Sequence, residues 1–403
     1  MLALTSIWTT ILLAAAVALG PLATDMYLPA LPSMGQSLGA TPDQIQLTLS
    51  IYMAGLATAQ LFCGPLGDRF GRKAIMISGF VLFFLASIGC ALATNVETLI
   101  LCRFLQAVGG SAGPVLGRAA IRDIYAPRDA ARIMALLASI MALAPAIAPT
   151  IGGLLLTGFG WASIFVVLGG YALVMALVVA FGIPEPMNPA NRQSLKLRNL
   201  GRNYRIILSS PTFLGYTLTN ALIFSGLFAF LSGSSFVLID FLGVPPSQFG
   251  LWFAGVVVGY MAGNLTAVRL SSRWLPDQIL LRGLLIAVAG GCSMAVLAIL
   301  DVHSVWAVML PQSLFMIGMG MCMPQTMAGA LANFPTMAGS ASALFGSLQM
   351  TLAALTGILV GQLYAGTALA MAMIIAACAI AALVVYLVIV RRNPAPGFEP
   401  AGI

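Results

Sequence analysis

Long apolar runs without charge recur from one end of this chain to the other, and no other feature constrains its fold more. Each is long enough, at about 20 residues, to cross the hydrocarbon core of a bilayer as a helix. They lie near 7–34, 44–65, 74–93, 97–119, 132–156, 160–182, 212–236, 248–268, 282–300, 305–328, 340–363 and 367–390. A soluble domain carries about 25% charged residues. This chain of 403 residues is 7% charged and 60% hydrophobic, with a mean hydropathy of +1.02. A membrane β-barrel would alternate apolar and polar residues, whereas these runs are continuous. The pattern predicts an all-α integral membrane protein with twelve transmembrane helices.

The longest polar interruption, Pro184–Pro211, divides the spans into six and six. The organisation expected is a six-helix bundle over 1–183, a linker over 184–211, a second six-helix bundle over 212–390 and a tail over 391–403. Lys and Arg set the orientation. Arg69, Arg72 and Lys73 follow span two, and Arg118, Arg122, Arg128 and Arg132 surround the connection from span four to five. Arg192, Lys196, Arg198, Arg202 and Arg205 lie in the linker, Arg269, Arg273 and Arg282 after span eight, and Arg391 and Arg392 after span twelve. All fall on one side, which the positive-inside rule makes cytoplasmic. Both termini then face the cytoplasm. The opposite side carries Asp43, Glu97, Asp240 and Asp301 and no basic residue. This placement accounts for the net charge of +7 without a nucleic-acid partner.

Cys63, Cys90, Cys102, Cys292, Cys322 and Cys378 all fall in apolar runs, with no CxxC pair. They read as small buried hydrophobes, not as a disulfide or metal set. No phosphate-binding loop of the Walker type occurs. An embedded enzyme would cluster His, Asp or Cys near one surface, and no such cluster is visible. The lone histidine, His303, reads as a solvated loop residue. The N-terminus has no basic region before its first apolar run, so that run is expected to stay as a helix.

Two charges stand inside spans: Asp25, in "GPLATDMYLPALP", and Arg103, in "ETLILCRFLQAVGG". A carboxylate at mid-bilayer costs about 2.5–3.5 kcal/mol on insertion scales, and intramembrane ionisable groups default to function. Asp25 is deep only if span one continues past Pro29 and Pro32. Burial favours the neutral carboxyl, a nearby Arg favours the ion, and hydration shifts the balance. Such a group could bind and release a proton. The alternative is a fixed Asp25–Arg103 bridge tying spans one and four. Arg103 does not deprotonate; its five donors suit it to organise a site, with Gln106 on the same helical face.

Four stretches carry a resemblance. "GPLGDRFGRK", Gly64 to Lys73, resembles the loop signature between spans two and three of the major facilitator superfamily. "RFLQAVGGSAG" resembles the span-four motif of its proton-coupled members, and "APTIGG" the span-five motif of its antiporters. "TDMYLPALP" is similar to the span-one signature of its drug/proton antiporters of the bicyclomycin-resistance (Bcr/CflA) type. The motifs stand in the right order on the right spans. Ala148 replaces the usual Gly before Pro149, but it is still small enough for close packing. The second half keeps only an echo, "GNLTAVRLSSR" from Gly263, without the Asp.

The resemblance implies proton-coupled export of amphipathic drugs by alternating access from a bacterial cytoplasm. It implies a monomer in the inner membrane, with H+ as coupling ion and no cofactor. Asp25 and Arg103 would couple the proton. A conformational gate would comprise Gly64, Gly67, Asp68, Arg69, Gly71 and Arg72, with Arg118 and Arg122 as candidate partners of Asp68. Span five would add Pro145, Pro149, Gly152 and Gly153. The residues themselves allow this: two prolines four apart favour a bend on one face, and paired glycines allow close approach of a neighbouring helix. The plain alternatives are a solvated loop and ordinary packing. Amides and aromatics scattered through the spans are the candidate drug contacts: Tyr27, Tyr52, Gln60, Gln106, Asn220, Phe224, Phe228, Tyr260, Asn264, Gln325 and Gln349. They suit adaptable binding of neutral or cationic amphipaths. A metabolite transporter on the same fold, a channel and an embedded enzyme are the alternative functions.

Overall fold

In the computed structural model, residues 7–125, 127–187 and 197–398 are described. Arg192 and Lys196 lie outside them, as do the side chains of Arg128, Arg132 and Arg198. Among the described residues there is no strand. Eleven helical segments among them are long and apolar enough to cross a membrane. The remaining expected span, 132–156, falls within a single helix, Pro127–Phe159, whose described apolar part is Ala144–Phe159.

The chain forms two compact units, Met1–Lys196 and Leu197–Ile403. The first contains α1 (Ile7–Asp25), α2 (Leu31–Leu38), α3 (Pro42–Phe70), α4 (Arg72–Ala91), α5 (Val96–Gly110), α6 (Ala112–Ile124), α7 (Pro127–Phe159) and α8 (Ala162–Gly182). The second contains α9 (Leu197–Leu208), α10 (Pro211–Ser235), α11 (Pro246–Leu270), α12 (Pro276–Ile299), α13 (Val305–Leu331), α14 (Ala338–Leu363) and α15 (Leu369–Val385). Short π-helical turns prolong α10 over Phe236–Phe241 and α15 over Tyr386–Val390. The linker expected over 184–211 thus contains a helix, α9, that packs on α10 and α14 of the second unit.

Helix starts follow local chemistry. Thr41 and Gln44 form a reciprocal capping box on α3, the Thr41 N–H donating to Gln44 Oε1 at 3.0 Å. Asn95 accepts from the Thr98 N–H at 2.8 Å to begin α5, and Ser210 accepts from the Phe213 N–H at 3.3 Å to begin α10. Each cap satisfies an N–H that the helix itself leaves unpaired.

The same helix pairings recur in both units. In the first, α5 packs on α3 and α4, and α4 packs on α8; in the second, α13 packs on α11 and α12, and α12 packs on α15. Lipid supplies no hydrophobic drive between helices, so close packing of small residues must hold them together. Both units solve this alike. Gly79 of α4 meets Gly109 of α5 backbone to backbone, and Gly283 of α12 meets Gly318 of α13 in the same way. At the end of the second unit that carries Arg391, buried Tyr386 donates to Asp277 Oδ1 at 2.6 Å. Nearby, Phe398 of the tail packs edge-on against Tyr216, with ring centroids 5.5 Å apart.

Gly109→Ala and Gly318→Ala each place a Cβ against a facing backbone carbonyl or amide. Each is expected to destabilise its unit by about 1–3 kcal/mol, the ordinary cost of overpacking. Thermal melting of the purified variants in detergent checks this, with Gly170→Ala as a control, because a Cβ there meets nothing within 4 Å.

Candidate functional site

The first span breaks where its prolines require it. Pro29 has no N–H to give the Asp25 carbonyl, and its ring would crowd a continuing helix. α1 therefore ends at Asp25, a single 3-10 turn follows over Leu28–Ala30, and α2 resumes at Leu31. Pro29 and Pro32 occupy the opening positions of these two elements, where a missing donor is harmless. Gly39, with φ 61°, closes α2. The apolar segment accordingly runs from Trp8 to Leu38. At about 1.5 Å per residue, Asp25 falls roughly 3 Å from its midpoint. It is 4% exposed.

Arg103 of α5 is wholly buried and lies beside the break. Its Nη1 donates to the Ala23 carbonyl at 3.2 Å and to Gln106 Oε1 at 2.6 Å. The guanidinium carbon stands 4.2 Å from the ring centroids of both Tyr27 and Tyr52, and 5.8 Å from that of Phe165 of α8. A desolvated cation over an aromatic face gains about 2 kcal/mol or more, which offsets part of the cost of its burial. Gln106 passes the chain onward, its Nε2 donating to Ser87 Oγ of α4 at 2.8 Å, and Ser87 donating to the Phe83 carbonyl. One hydrogen-bonded line thus joins spans one, four and three. Arg103 Nε and Nη2 and the Tyr52 hydroxyl are buried without a hydrogen-bond partner.

Among the described residues no ion pair joins Asp25 to Arg103. The fixed bridge of the structural alternative is not what the cation makes here. Arg103 grips the backbone at Ala23, two residues before the acid, and Tyr27, two residues after it. Tyr27, Tyr52 and Gln106, expected to meet drug, instead build the buried cage around Arg103. Tyr27 also hydrogen-bonds Thr48 Oγ1 at 3.3 Å.

Span five meets the same break. Gly152 of α7 lies directly against the Met26 carbonyl, leaving no room for a Cβ. Ala148, Pro149 and Gly153 are buried beside it, and Pro145 is half-buried. The paired prolines and glycines expected of a gate therefore place the smallest residue of α7 against the residue after Asp25.

At the loop after span two, the expected partners of Asp68 are corrected. Asp68 Oδ1 pairs with Arg72 Nη2 at 2.6 Å, and Arg72 Nε also reaches Asp123 Oδ2 at 3.1 Å. Arg118 turns back onto its own helix, its Nε donating to the Pro114 carbonyl at 2.7 Å, and Arg122 is exposed. The reason is the turn at Gly71: its φ of 100° starts α4 so that Arg72 folds back under Asp68. Gly67 packs against Leu116 of α6, while a Cβ on Gly64 would meet nothing within 4 Å. Arg69 is exposed, with its guanidinium 5.0 Å from the Phe70 ring centroid.

Glu185 was not anticipated. Its carboxylate accepts from the Arg72 N–H at 2.9 Å, the Lys73 N–H at 3.2 Å and the Met187 N–H at 3.2 Å. It fills the space beside Gly71 that a side chain would need. It thus caps α4 and ties the end of span six to the loop. Its signal in the sequence is a lone acid between Pro184 and Pro186 in a basic stretch.

In the second unit, the buried Asn220 accepts from Thr326 Oγ1 at 2.9 Å, joining α10 to α13. Phe228 is wholly buried and Gln349 is 7% exposed. Gln60, Phe224, Tyr260, Asn264 and Gln325 are half-buried.

Two outcomes follow from this geometry. Gly152→Ala pushes the Met26 carbonyl away, shifts the residue beside Asp25 and is expected to lower the protein's activity at least roughly tenfold. Protein level in the membrane should stay near normal. Glu185→Ala should lower stability by about 1–2 kcal/mol, as loss of a charged cap does, while Glu185→Gln should recover part of it. Melting curves read both.

Residues 13–357 match the family model described as Major Facilitator Superfamily. The chain is 33% identical over 331 residues to a bicyclomycin resistance protein homolog of Haemophilus influenzae, covering 82% of this chain and 83% of that protein. It is 31% identical over 338 residues to a chloramphenicol resistance protein of Pseudomonas aeruginosa, covering 84% and 80%. Among solved structures, a bacterial homolog of the human lysosomal transporter Spinster superposes with a TM-score of 0.75 at 16% identity, covering 98% of each chain. The Escherichia coli xylose transporter XylE gives 0.72 at 13%, covering 94% and 96%. With the family model and these relatives each matching more than four fifths of it, the chain belongs to the Major Facilitator Superfamily and is a multi-pass membrane transporter of small molecules, not an enzyme.

Proposed function

We propose that this transporter is a proton-coupled antiporter that exports amphipathic drugs from the bacterial cytoplasm by alternating access. It would act as a monomer in the inner membrane with both termini inside. The observation that carries the reading is Asp25: an acid near the middle of the first span, at a helix break, with no ion pair to the one cation inside the membrane. The resistance proteins among its relatives support drugs as the cargo.

In this reading Asp25 takes a proton when its site opens outward and releases it when the site opens inward. Drying favours the neutral acid and wetting favours the ion. Arg103 does not exchange protons. It holds the break in place through Ala23, and its unfilled Nε and Nη2 donors make the surroundings favourable to a new anion. Gly152 seals span five against the break. Drug would occupy the cavity offered by half-buried groups such as Gln60, Phe224, Tyr260, Asn264 and Gln325, with Gln349 as a further contact.

One acid implies one proton per cycle. A pH unit then supplies about 1.4 kcal/mol, and 100 mV about 2.3 kcal/mol per net charge moved. A neutral drug would draw on both terms. A monovalent cationic drug exchanged for one proton would draw on the pH term alone.

The test is drug uptake into inverted membrane vesicles. Asp25→Asn is expected to abolish uptake driven by a pH gradient while leaving drug-for-drug exchange intact. Full pH-driven uptake by that variant would sink the proton role. An imposed potential should accelerate uptake of a neutral drug and leave that of a monovalent cation nearly unchanged; a steep voltage response for the cation would refute the single-acid stoichiometry.

A further inference from the structure

The two units treat their basic ends differently. In the first unit, Arg69 and Arg122 are exposed without an ion pair among the described residues, but Arg72 is paired with Asp68 and Asp123, and the Arg72 and Lys73 amides are held by Glu185. In the second unit, Arg202, Arg205, Arg269 and Arg273 are exposed, and among the described residues none of them forms an ion pair. The one acid on that side of the unit within the described residues is Asp277. It is 6% exposed, and its Oδ1 accepts from Tyr386. Among the described residues of this unit, no carboxylate pairs with the cations of this face.

Helix α9 concentrates the feature. Arg198, Arg202 and Arg205 stand at i, i+4 and i+7, so their positions share one stripe of the helix, and α9 contains no acid. The face opposite the stripe docks on the bundle, with Ile207 wholly buried. On the two flanks Ile206 is 46% and Leu208 37% exposed. Along the same basic side, Arg282 lies 3.7 Å over the ring of Trp274, beside Leu275 at 42% exposure. Indole with arginine is a pairing suited to the headgroup level of a bilayer. A basic stripe flanked by exposed aliphatics is the chemistry of a helix lying in an anionic interface, not of one standing in water.

We infer that α9 and the adjoining basic side of the second unit form a docking surface for anionic phospholipid headgroups. Arg202 and Arg205 bind phosphate oxygens, and Ile206 and Leu208 enter the acyl boundary. The surface would hold the second unit to the leaflet that α9 faces, whereas the first unit has carboxylates of its own. Its siting on the cytoplasmic leaflet rests on the orientation proposed above; the lipid chemistry does not.

The experiment is native mass spectrometry of the full-length protein, exchanged in detergent against equal amounts of phosphatidylglycerol and phosphatidylcholine. Each arginine near an anionic surface is worth about fivefold in affinity, so the pair is worth roughly twenty-fivefold. Wild type is expected to retain phosphatidylglycerol preferentially. Arg202→Gln/Arg205→Gln should lose that preference by roughly twenty-fivefold, Arg202→Lys/Arg205→Lys should keep most of it, and Arg122→Gln should leave it unchanged. Equal retention of the two lipids by wild type, or a preference that survives the double Gln variant, overturns the inference. Retention of an acidic polypeptide in place of lipid overturns it too. Labelling of Ser209→Cys by a membrane-impermeant thiol reagent reads the orientation separately, and neither measurement depends on proton coupling.

Discussion

A guanidinium buried among aromatic rings organises the first unit. Arg103 cannot shed its charge, so everything near it must accommodate a permanent cation inside the membrane. Two tyrosine faces, one amide and one released carbonyl do so. That carbonyl, Ala23, lies in the last turn of α1, just before the break, and the break exists because Pro29 follows Asp25 by four residues. The proline pattern, the cation and the acid are therefore parts of one arrangement.

Much of this was legible from residue order. Helix type and span positions followed from continuous apolar runs, because lipid permits few ways to satisfy a backbone. That Asp25 and Arg103 stand out in the sequence followed from the cost of embedding charge, and both are buried. Their relationship did not: pattern alone pairs an acid with a base, whereas here the base turns to backbone and rings. Likewise, Asp68 found Arg72 four residues on, across a turn that only the positive φ of Gly71 could make. Glu185 escaped notice because a cap formed by a residue more than a hundred positions away leaves no periodic signal. Tyr27, Tyr52 and Gln106 looked like cavity residues because composition reports polarity but not direction.

The second unit reuses the helix pairings of the first with different side-chain chemistry. Glycine contacts between α12 and α13 repeat those between α4 and α5. The embedded charges are not repeated: the counterpart bundle ties α10 to α13 with a neutral pair, Asn220 and Thr326. The fold thus supplies a common frame, while the two charges embedded within spans, Asp25 and Arg103, both lie in one half of it. This division fits the general rule that function is grafted onto a fold by specific residues.

The contact between Gly152 and Met26 also restricts how α7 can move. With no side chain between them, the two backbones touch at a single point. Tilting away from it is free, but sliding brings Ala148 or Leu156, one turn away on the same face, toward the carbonyl. Rotation of α7 about its own axis is asymmetric: one sense carries the side chain of Ile151 toward the Met26 carbonyl, and the other carries Gly153, which has none. The contact therefore resists turning in one sense more than in the other, at the residue that follows the embedded acid.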